Sequence, residues 1–251
     1  MSRNRLLDSI LLMVLLIGVS SFPVDLITND IYIYYAIEIG LQSACLLFIY
    51  FYARRYRGVF PELGRFRLDN LLLLLPLLLV TFSNFIYAWI LQESPLVHFK
   101  WYNLLQIIFI GLVVVNEELV FRHMLLGNLN HNNVVIRILI SAAIFALCHL
   151  TRFFSTLNPY ELISIAYTFG LGILLGFIYC YTNSLVACIV FHFLFNGLND
   201  FLFTHIYLVS NSLWYYLINA IVAVIVGVYL LLVYLLKFKE FRIRNSLNFN
   251  K

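Results

Sequence analysis

One apolar stretch, residues 101–126, has the sequence WYNLLQIIFIGLVVVNEELVFRHMLL, and it contains three neighbouring charged residues. An α-helix rises ~1.5 Å per residue and the hydrocarbon core of a bilayer is ~30 Å thick, so this stretch is long enough to cross a membrane. Each charged side chain inside such a helix costs at least ~2.5–3.5 kcal/mol on insertion scales. The stretch therefore predicts a membrane helix whose charged residues Glu117, Glu118 and Arg122 serve a purpose other than solubility.

The composition of the whole chain agrees with a membrane protein. Of its 251 residues, 63% are hydrophobic and 11% are charged, with a mean hydropathy of +0.93. Soluble domains average about 45–50% apolar and about 25% charged residues. These values exclude a soluble globular domain, a disordered chain and a disulfide scaffold, and the four cysteines lie in apolar runs without metal-finger spacing.

Hydropathy divides the chain into eight apolar runs joined by short loops. We predict an all-α, polytopic bundle of about eight transmembrane helices that forms a single integral membrane domain over residues 1–251. The predicted spans are residues 6–24, 31–53, 69–91, 101–126, 134–150, 160–181, 184–203 and 212–236.

The basic residues predict the orientation of these helices. Most of the 16 Lys and Arg residues lie before the first span, after the second span or in the tail that follows the eighth. By the positive-inside rule, both termini are expected to be cytoplasmic, and the even-numbered spans run inward. This placement accounts for the net charge of +4, so no nucleic-acid partner is predicted.

The adjacent acids of span 4 have different surroundings on a helix. Glu118 and Arg122 are four residues apart, so they lie one turn apart on the same face and can form an ion pair. Glu117 is rotated by about 100° from Glu118 and has no local cation. We therefore expect Glu117 to face a cavity or another helix.

Two further apolar spans carry polar residues that could meet Glu117. Span 5 has Phe145 one turn before His149, and span 7 has His192 one turn before Asn196. A single intramembrane histidine is often a packing residue, and an asparagine often makes only an interhelical hydrogen bond. Their occurrence together with Glu117 makes a shared functional site inside the bundle the stronger interpretation.

These groups suit hydrolysis of a peptide bond. Glu117 and a histidine beside a trapped water could act as a general base, so that the water attacks a carbonyl carbon. A second histidine and an amide could donate hydrogen bonds to the oxyanion. The alternative is a zinc ion held by Glu117, His149 and His192, although no HExxH motif is present.

At these positions the sequence resembles the CAAX-protease and bacteriocin-processing family, also called the Abi or type II CAAX prenyl endopeptidase family. The family motifs EExxxR, FxxxH and HxxxN occur in order within the predicted catalytic core, residues 101–205. The matching residues are Glu117, Glu118, Arg122, Phe145, His149, His192 and Asn196.

The resemblance implies an intramembrane protease with a cavity that opens towards the cytoplasm and the lipid. It implies that Glu117 and His149 activate the water and that His192 and Asn196 form the oxyanion hole. Glu118, Arg122 and Phe145 would support the site. No cofactor is expected to be required, with Zn²⁺ as the alternative.

The expected partners are membrane lipids and a membrane-bound peptide or protein precursor. The compact chain is typical of bacterial members, so we expect a multi-pass protein of a bacterial cell membrane. Relatives there are linked to maturation of peptide pheromones or bacteriocins and to self-immunity. The alternatives are a non-catalytic immunity or scaffold protein of the same fold, and a proton-coupled transporter, for which the sequence lacks two related halves.

Overall fold

The computed structural model describes residues 5–57, 82, 100–129, 133–198 and 213–236. Within these ranges the secondary structure is helical and contains no strand, which confirms the all-helical prediction for this part of the chain. A 3-10 turn, Val24–Leu26, follows the first helix, and a π-helix, Leu119–Leu126, continues the third. The α-helices are α1 (Arg5–Ser20), α2 (Ile31–Arg57), α3 (Tyr102–Glu118), α4 (Val134–Cys148), α5 (Leu150–Thr156), α6 (Tyr160–Thr182), α7 (Leu185–Leu194) and α8 (Leu213–Leu236).

Four of the described helical segments are long and apolar enough to cross a membrane. They are Leu7–Leu26, Ile31–Tyr52, Tyr102–Leu126 and Tyr160–Thr182. Val134–Cys148, Leu185–Leu198 and Leu217–Leu230 form shorter apolar helices. The third predicted span, residues 69–91, lies outside the described residues, so the eight crossings and the cytoplasmic termini stay predictions.

Several predicted helix ends differ from the structure, and α2 reaches Arg57 rather than residue 53. The first α-helix was expected to reach residue 24 but ends at Ser20, because Pro23 has no N–H and disfavours helix in the residue before it. The fifth span was expected to reach residue 150, but α4 ends at Cys148. The predicted loop 151–159 instead contains most of α5, which stops where Leu157 adopts a left-handed backbone with φ of 52°.

Helix α6 packs between α4 and α8, and glycines allow the close approach. A Cβ added to Gly172 would lie 2.9 Å from Cα of Ala142 in α4. A Cβ added to Gly170 would lie 2.7 Å from the main-chain carbon of Ala223 in α8. Both distances are too short for a real side chain, so these glycines fix the positions of α4 and α8 relative to α6.

Helices α2 and α3 pack side by side and run in the same direction. The rings of Tyr35 and Tyr102 stack near their beginnings, with centroids 6.5 Å apart. Further along, Asn116 Nδ2 donates to Gln42 Oε1 at 2.9 Å. Spans 2 and 4 are therefore parallel, and their inward direction stays a prediction.

The faces of α8 indicate that the bundle is surrounded by an apolar medium. Ile221, Ile225 and Leu232 follow one face and are each more than half exposed, whereas Ala223 and Leu230 on the inner face are fully buried. A helix that is hydrophobic on both its buried and its exposed face is typical of a membrane span. The apolar exterior and the four long helices together define an integral membrane protein.

Candidate active site

Glu118 lies at the centre of a fully buried ionic cluster. Its Oε2 lies 3.2 Å from Nε of Arg122, one helical turn away, as the spacing predicted. Its Oε1 accepts a hydrogen bond of 2.8 Å from Nδ1 of His192, which comes from α7. Glu118 is therefore compensated by one hydrogen bond at Oε1 and by an ion pair without a hydrogen bond at Oε2.

The ring of Phe145 covers this cluster from α4. Its centroid lies 4.8 Å from the guanidinium carbon of Arg122 and 5.9 Å from the ring of His192. Arg122 is fully buried, and its Nη1 and Nη2 have no hydrogen-bond partner among the described residues. The aromatic face compensates in part for this loss, because its electrons attract the cation.

Arg122 belongs to the π-helix Leu119–Leu126, whose wider turns leave main-chain carbonyls for other donors. Side chains from other helices donate hydrogen bonds to three of these carbonyls. Ser141 Oγ donates to Phe121 O at 3.1 Å, Arg137 Nη2 to Leu126 O at 2.6 Å, and Ser9 Oγ to Met124 O at 3.0 Å. The segment that presents Arg122 is thus anchored to α1 and α4 rather than only to its own helix.

Glu117 has a different environment from its neighbour. Its side chain is 15% exposed and lines a cavity, whereas Glu118 is fully buried. Oε2 of Glu117 lies 3.7 Å from Nε2 of His192. His192 therefore stands between the two acids, with one ring nitrogen towards each.

His149 lies immediately after the end of α4, where the backbone turns into α5. Its Nδ1 is 2.9 Å from the main-chain oxygen of Phe145, and its ring meets that of Phe145 edge to face at 4.9 Å. A carbonyl oxygen can only accept, so Nδ1 of His149 must carry the hydrogen. In a neutral ring, Nε2 is then the atom that can accept a proton.

A cavity of about 250 Å³ joins these groups. The four residues predicted as catalytic, Glu117, His149, His192 and Asn196, all line it, as does Phe145. Glu118 and Arg122 lie behind this wall and do not line the cavity. Asn196 belongs to a π-helical turn, residues 195–198, that continues α7.

The zinc alternative requires at least three ligand side chains around one point among the described residues. No three His, Cys, Asp or Glu side chains within them are placed to hold a metal. His192 engages Nδ1 with Glu118 and His149 engages Nδ1 with the main-chain oxygen of Phe145, which leaves Nε2 of each ring for another partner. Histidines that bind a metal usually have such a contact at the other nitrogen, so Zn²⁺ held by Glu117, His149 and His192 stays the alternative.

Several features of the cavity were not predicted from the sequence. The hydrogen bond from His192 to Glu118 is one, because nothing in the spacing shows which acid a distant histidine will meet. Thr168 of α6 and Asn219 of α8 also line the cavity. A signal for Asn219 exists in the sequence, since it is a single amide inside an apolar run.

The four cysteines are free thiols, and Cys148 lines the cavity next to His149. Glu38, a carboxylate in the second predicted span, is buried in α2 but does not line this cavity. The sequence places Asn199 and Asp200 directly after the HxxxN motif, where they could border the site, and both lie outside the described residues.

The fold and the cavity define a class of protein, namely an integral membrane protein with an acid–imidazole site enclosed by apolar helices. Residues 97–198 match the family model described as Type II CAAX prenyl endopeptidase Rce1-like. This match confirms the resemblance for the segment that carries all three motifs, which is similar to a peptidase family. No curated protein and no solved structure shows significant similarity to the chain.

Proposed function

We propose that the protein is an intramembrane endopeptidase that hydrolyses a peptide bond in a membrane-associated peptide or protein precursor. The observation that carries this proposal is that Glu117, His149, His192 and Asn196, from three helical segments, line one cavity. A carboxylate, two imidazoles and an amide are a sufficient set for activating water and stabilising an oxyanion. The match of residues 97–198 to a peptidase family supports the same reaction.

In the proposed first step, Glu117 and His149 activate a water molecule. The carboxylate of Glu117 accepts a proton from the water as the water oxygen bonds to the carbonyl carbon of the substrate. His149 holds the water through Nε2, since its Nδ1–H is engaged by the main-chain oxygen of Phe145. When the carbon–nitrogen bond breaks, the proton on Glu117 passes to the leaving amine, which balances the reaction.

The oxyanion is proposed to accept hydrogen bonds from Asn196 and His192. Because Nδ1 of His192 donates to Glu118, the ring can also donate to an oxyanion only if Nε2 carries a second proton. Glu117 and Glu118 lie on the two sides of this ring, at 3.7 Å from Nε2 and 2.8 Å from Nδ1.

Glu118, Arg122 and Phe145 are proposed as supporting residues. Glu118 orients the His192 ring through a bond of 2.8 Å, and Arg122 neutralises Glu118. Phe145 contacts both histidines, with ring centroids 4.9 Å from His149 and 5.9 Å from His192. These contacts fix the directions of the two rings, and a fixed geometry is what makes such groups effective.

The proposed substrate is a peptide or protein anchored in the membrane. The cavity lies among apolar helices, and Leu16, Ile17 and Val113 from α1 and α3 contribute to its lining. An apolar lining of this kind favours a substrate that is already in the lipid phase. In a bacterial cell, the corresponding precursors are peptide pheromones or bacteriocins, and their cleavage would link the activity to self-immunity.

The experiment that tests this function compares the peptides of cells that produce the wild-type protein with those of cells that produce Glu117→Gln. Glu38→Gln is the matched control, because it removes another buried intramembrane carboxylate that does not line the cavity. We expect one or more membrane-derived cleavage products to disappear with Glu117→Gln and to persist with Glu38→Gln, at equal protein levels. Identical peptide profiles for wild type and Glu117→Gln would refute the protease and favour a binding or immunity protein.

A further inference from the structure

Two polar residues outside the sequence motifs line the cavity that contains Glu117. Thr168 and Asn219 are each only 2% exposed. They come from α6 and α8, whereas Glu117 comes from α3. Asn219 also lies outside the segment that matches the peptidase family.

The packing of α8 on α6 explains how Asn219 reaches the cavity. Ala223, one turn after Asn219 on the same face, meets Gly170 so closely that a Cβ on that glycine would lie 2.7 Å from the backbone of Ala223. One turn further, a Cβ on Gly227 would lie 3.4 Å from the main-chain oxygen of Gly170. The inner face of α8 is thereby held against α6, so the position of Asn219 is set by backbone contact.

The chemistry of these two side chains matches a peptide backbone. A carboxamide offers both a donor and an acceptor, as a peptide unit does, and a hydroxyl can serve as either. An extended substrate strand among apolar helices has N–H and C=O groups that water does not reach, and leaving them unpaired is costly. A site that cleaves such a strand needs groups that bind its backbone and hold the scissile bond in place.

We propose that Asn219 and Thr168 form a substrate-binding subsite that hydrogen-bonds the backbone of an extended peptide next to its scissile bond. This inference rests on the proposed peptidase function. The subsite gives α8 a part in substrate recognition. Asn219 and Thr168 would recognise main-chain groups of the substrate rather than a particular side chain. Apolar residues such as Leu171 and Phe195, which also line the cavity, suit the substrate side chains.

The test uses purified protein in liposomes and a pool of palmitoylated peptides that carry a fluorophore and a quencher. The variants are Thr168→Val and Asn219→Leu, which keep the side-chain size and remove the polar atoms. The matched control is Ser164→Ala, one turn before Thr168, because its buried hydroxyl donates to Glu161 O at 2.5 Å and does not line the cavity. Glu117→Gln reports separately on the proposed function.

We expect kcat/KM to fall about 3- to 10-fold in each subsite variant, as the loss of one net hydrogen bond predicts, and to stay at the wild-type value in Ser164→Ala. The decisive measurement repeats the assay with peptides methylated at single backbone nitrogens. One methylation should slow cleavage by the wild type and have no further effect in Asn219→Leu or Thr168→Val. A residue that only packs α8 against α6 would not remove this sensitivity.

The outcomes separate this inference from the proposed function. If Glu117→Gln abolishes cleavage but the methylation penalties are the same in the wild type and both subsite variants, the subsite is refuted and the peptidase stands. If Glu117→Gln cleaves as fast as the wild type, the peptidase mechanism itself is refuted. If Asn219→Leu fails to fold, Thr168→Val still decides the question, since it changes the cavity wall by a single hydroxyl.

Discussion

Replacing Glu118 by glutamine should mainly lower the stability of the protein, whereas replacing Glu117 by glutamine should mainly lower its activity. Glu118 is fully buried, with Arg122 at 3.2 Å and His192 at 2.8 Å, so Glu118→Gln leaves a buried guanidinium without its counter-charge. Removing one partner of a buried ion pair typically costs about 3–5 kcal/mol. Native proteins have a free energy of unfolding of roughly 5–15 kcal/mol, so this cost is a large share of it. We therefore expect Glu118→Gln to lower the free energy of unfolding severely.

Glu117→Gln should leave the free energy of unfolding nearly unchanged. Its side chain is partly exposed to the cavity, and the distance of 3.7 Å to His192 is long for an ion pair. We expect a loss of about 1 kcal/mol or less, as for other weak and partly solvated pairs. Cleavage should nevertheless fall by about 10²–10⁴-fold, because the general base is gone.

Both quantities can be measured on the same purified proteins. Unfolding in mixed micelles of increasing denaturing detergent gives the change in stability, and release of the product peptide gives the activity. Equal loss of stability in the two variants would contradict the assignment of Glu118 as the structural acid. Full activity of Glu117→Gln at wild-type stability would contradict the role of Glu117.

Three further predictions concern other parts of the molecule. Gly170→Ala should lower the free energy of unfolding by about 1–3 kcal/mol, because its Cβ would meet the backbone of Ala223 at 2.7 Å. Gly18→Ala is the control and should not destabilise the protein, since a Cβ there has no atom within 4 Å. Unfolding of both variants in denaturing detergent checks this prediction. His149→Phe should keep the edge-to-face contact with Phe145 and the fold but lower kcat by about 10²-fold or more, and retention of the wild-type kcat would show that the ring nitrogen is dispensable. Strong chelators should leave cleavage unchanged after dialysis, and a loss of activity restored by Zn²⁺ would show that the zinc alternative is right.

Helical periodicity predicted the local part of the site. The spacing of four placed Glu118 and Arg122 on one face, and the structure gives them a contact of 3.2 Å. The rotation of Glu117 away from Glu118 likewise indicated a different environment, and Glu117 lines the cavity. Such predictions succeed because they depend only on the geometry of a single helix.

Contacts between distant segments could not be predicted in the same way. The π-helix after Glu118 is stabilised by Ser9, Ser141 and Arg137, whose side chains reach its carbonyls from other helices. No local pattern shows that these donors will be adjacent. The contribution of Asn219 has the same origin, because it depends on how closely α8 approaches α6.

The position of His192 explains why two adjacent acids can be kept in one apolar helix. Its Nδ1 reaches Glu118 at 2.8 Å and its Nε2 faces Glu117 at 3.7 Å, so one imidazole contacts both an acid that is neutralised within the protein and an acid that faces the cavity. Arg122 offsets the charge of Glu118, and Nε2 of His192 is the ring atom that faces Glu117. A change in the charge of Glu117 during a reaction therefore acts directly on His192. The hydrogen bond from His192 to Glu118, which is itself paired with Arg122, holds the ring in this orientation.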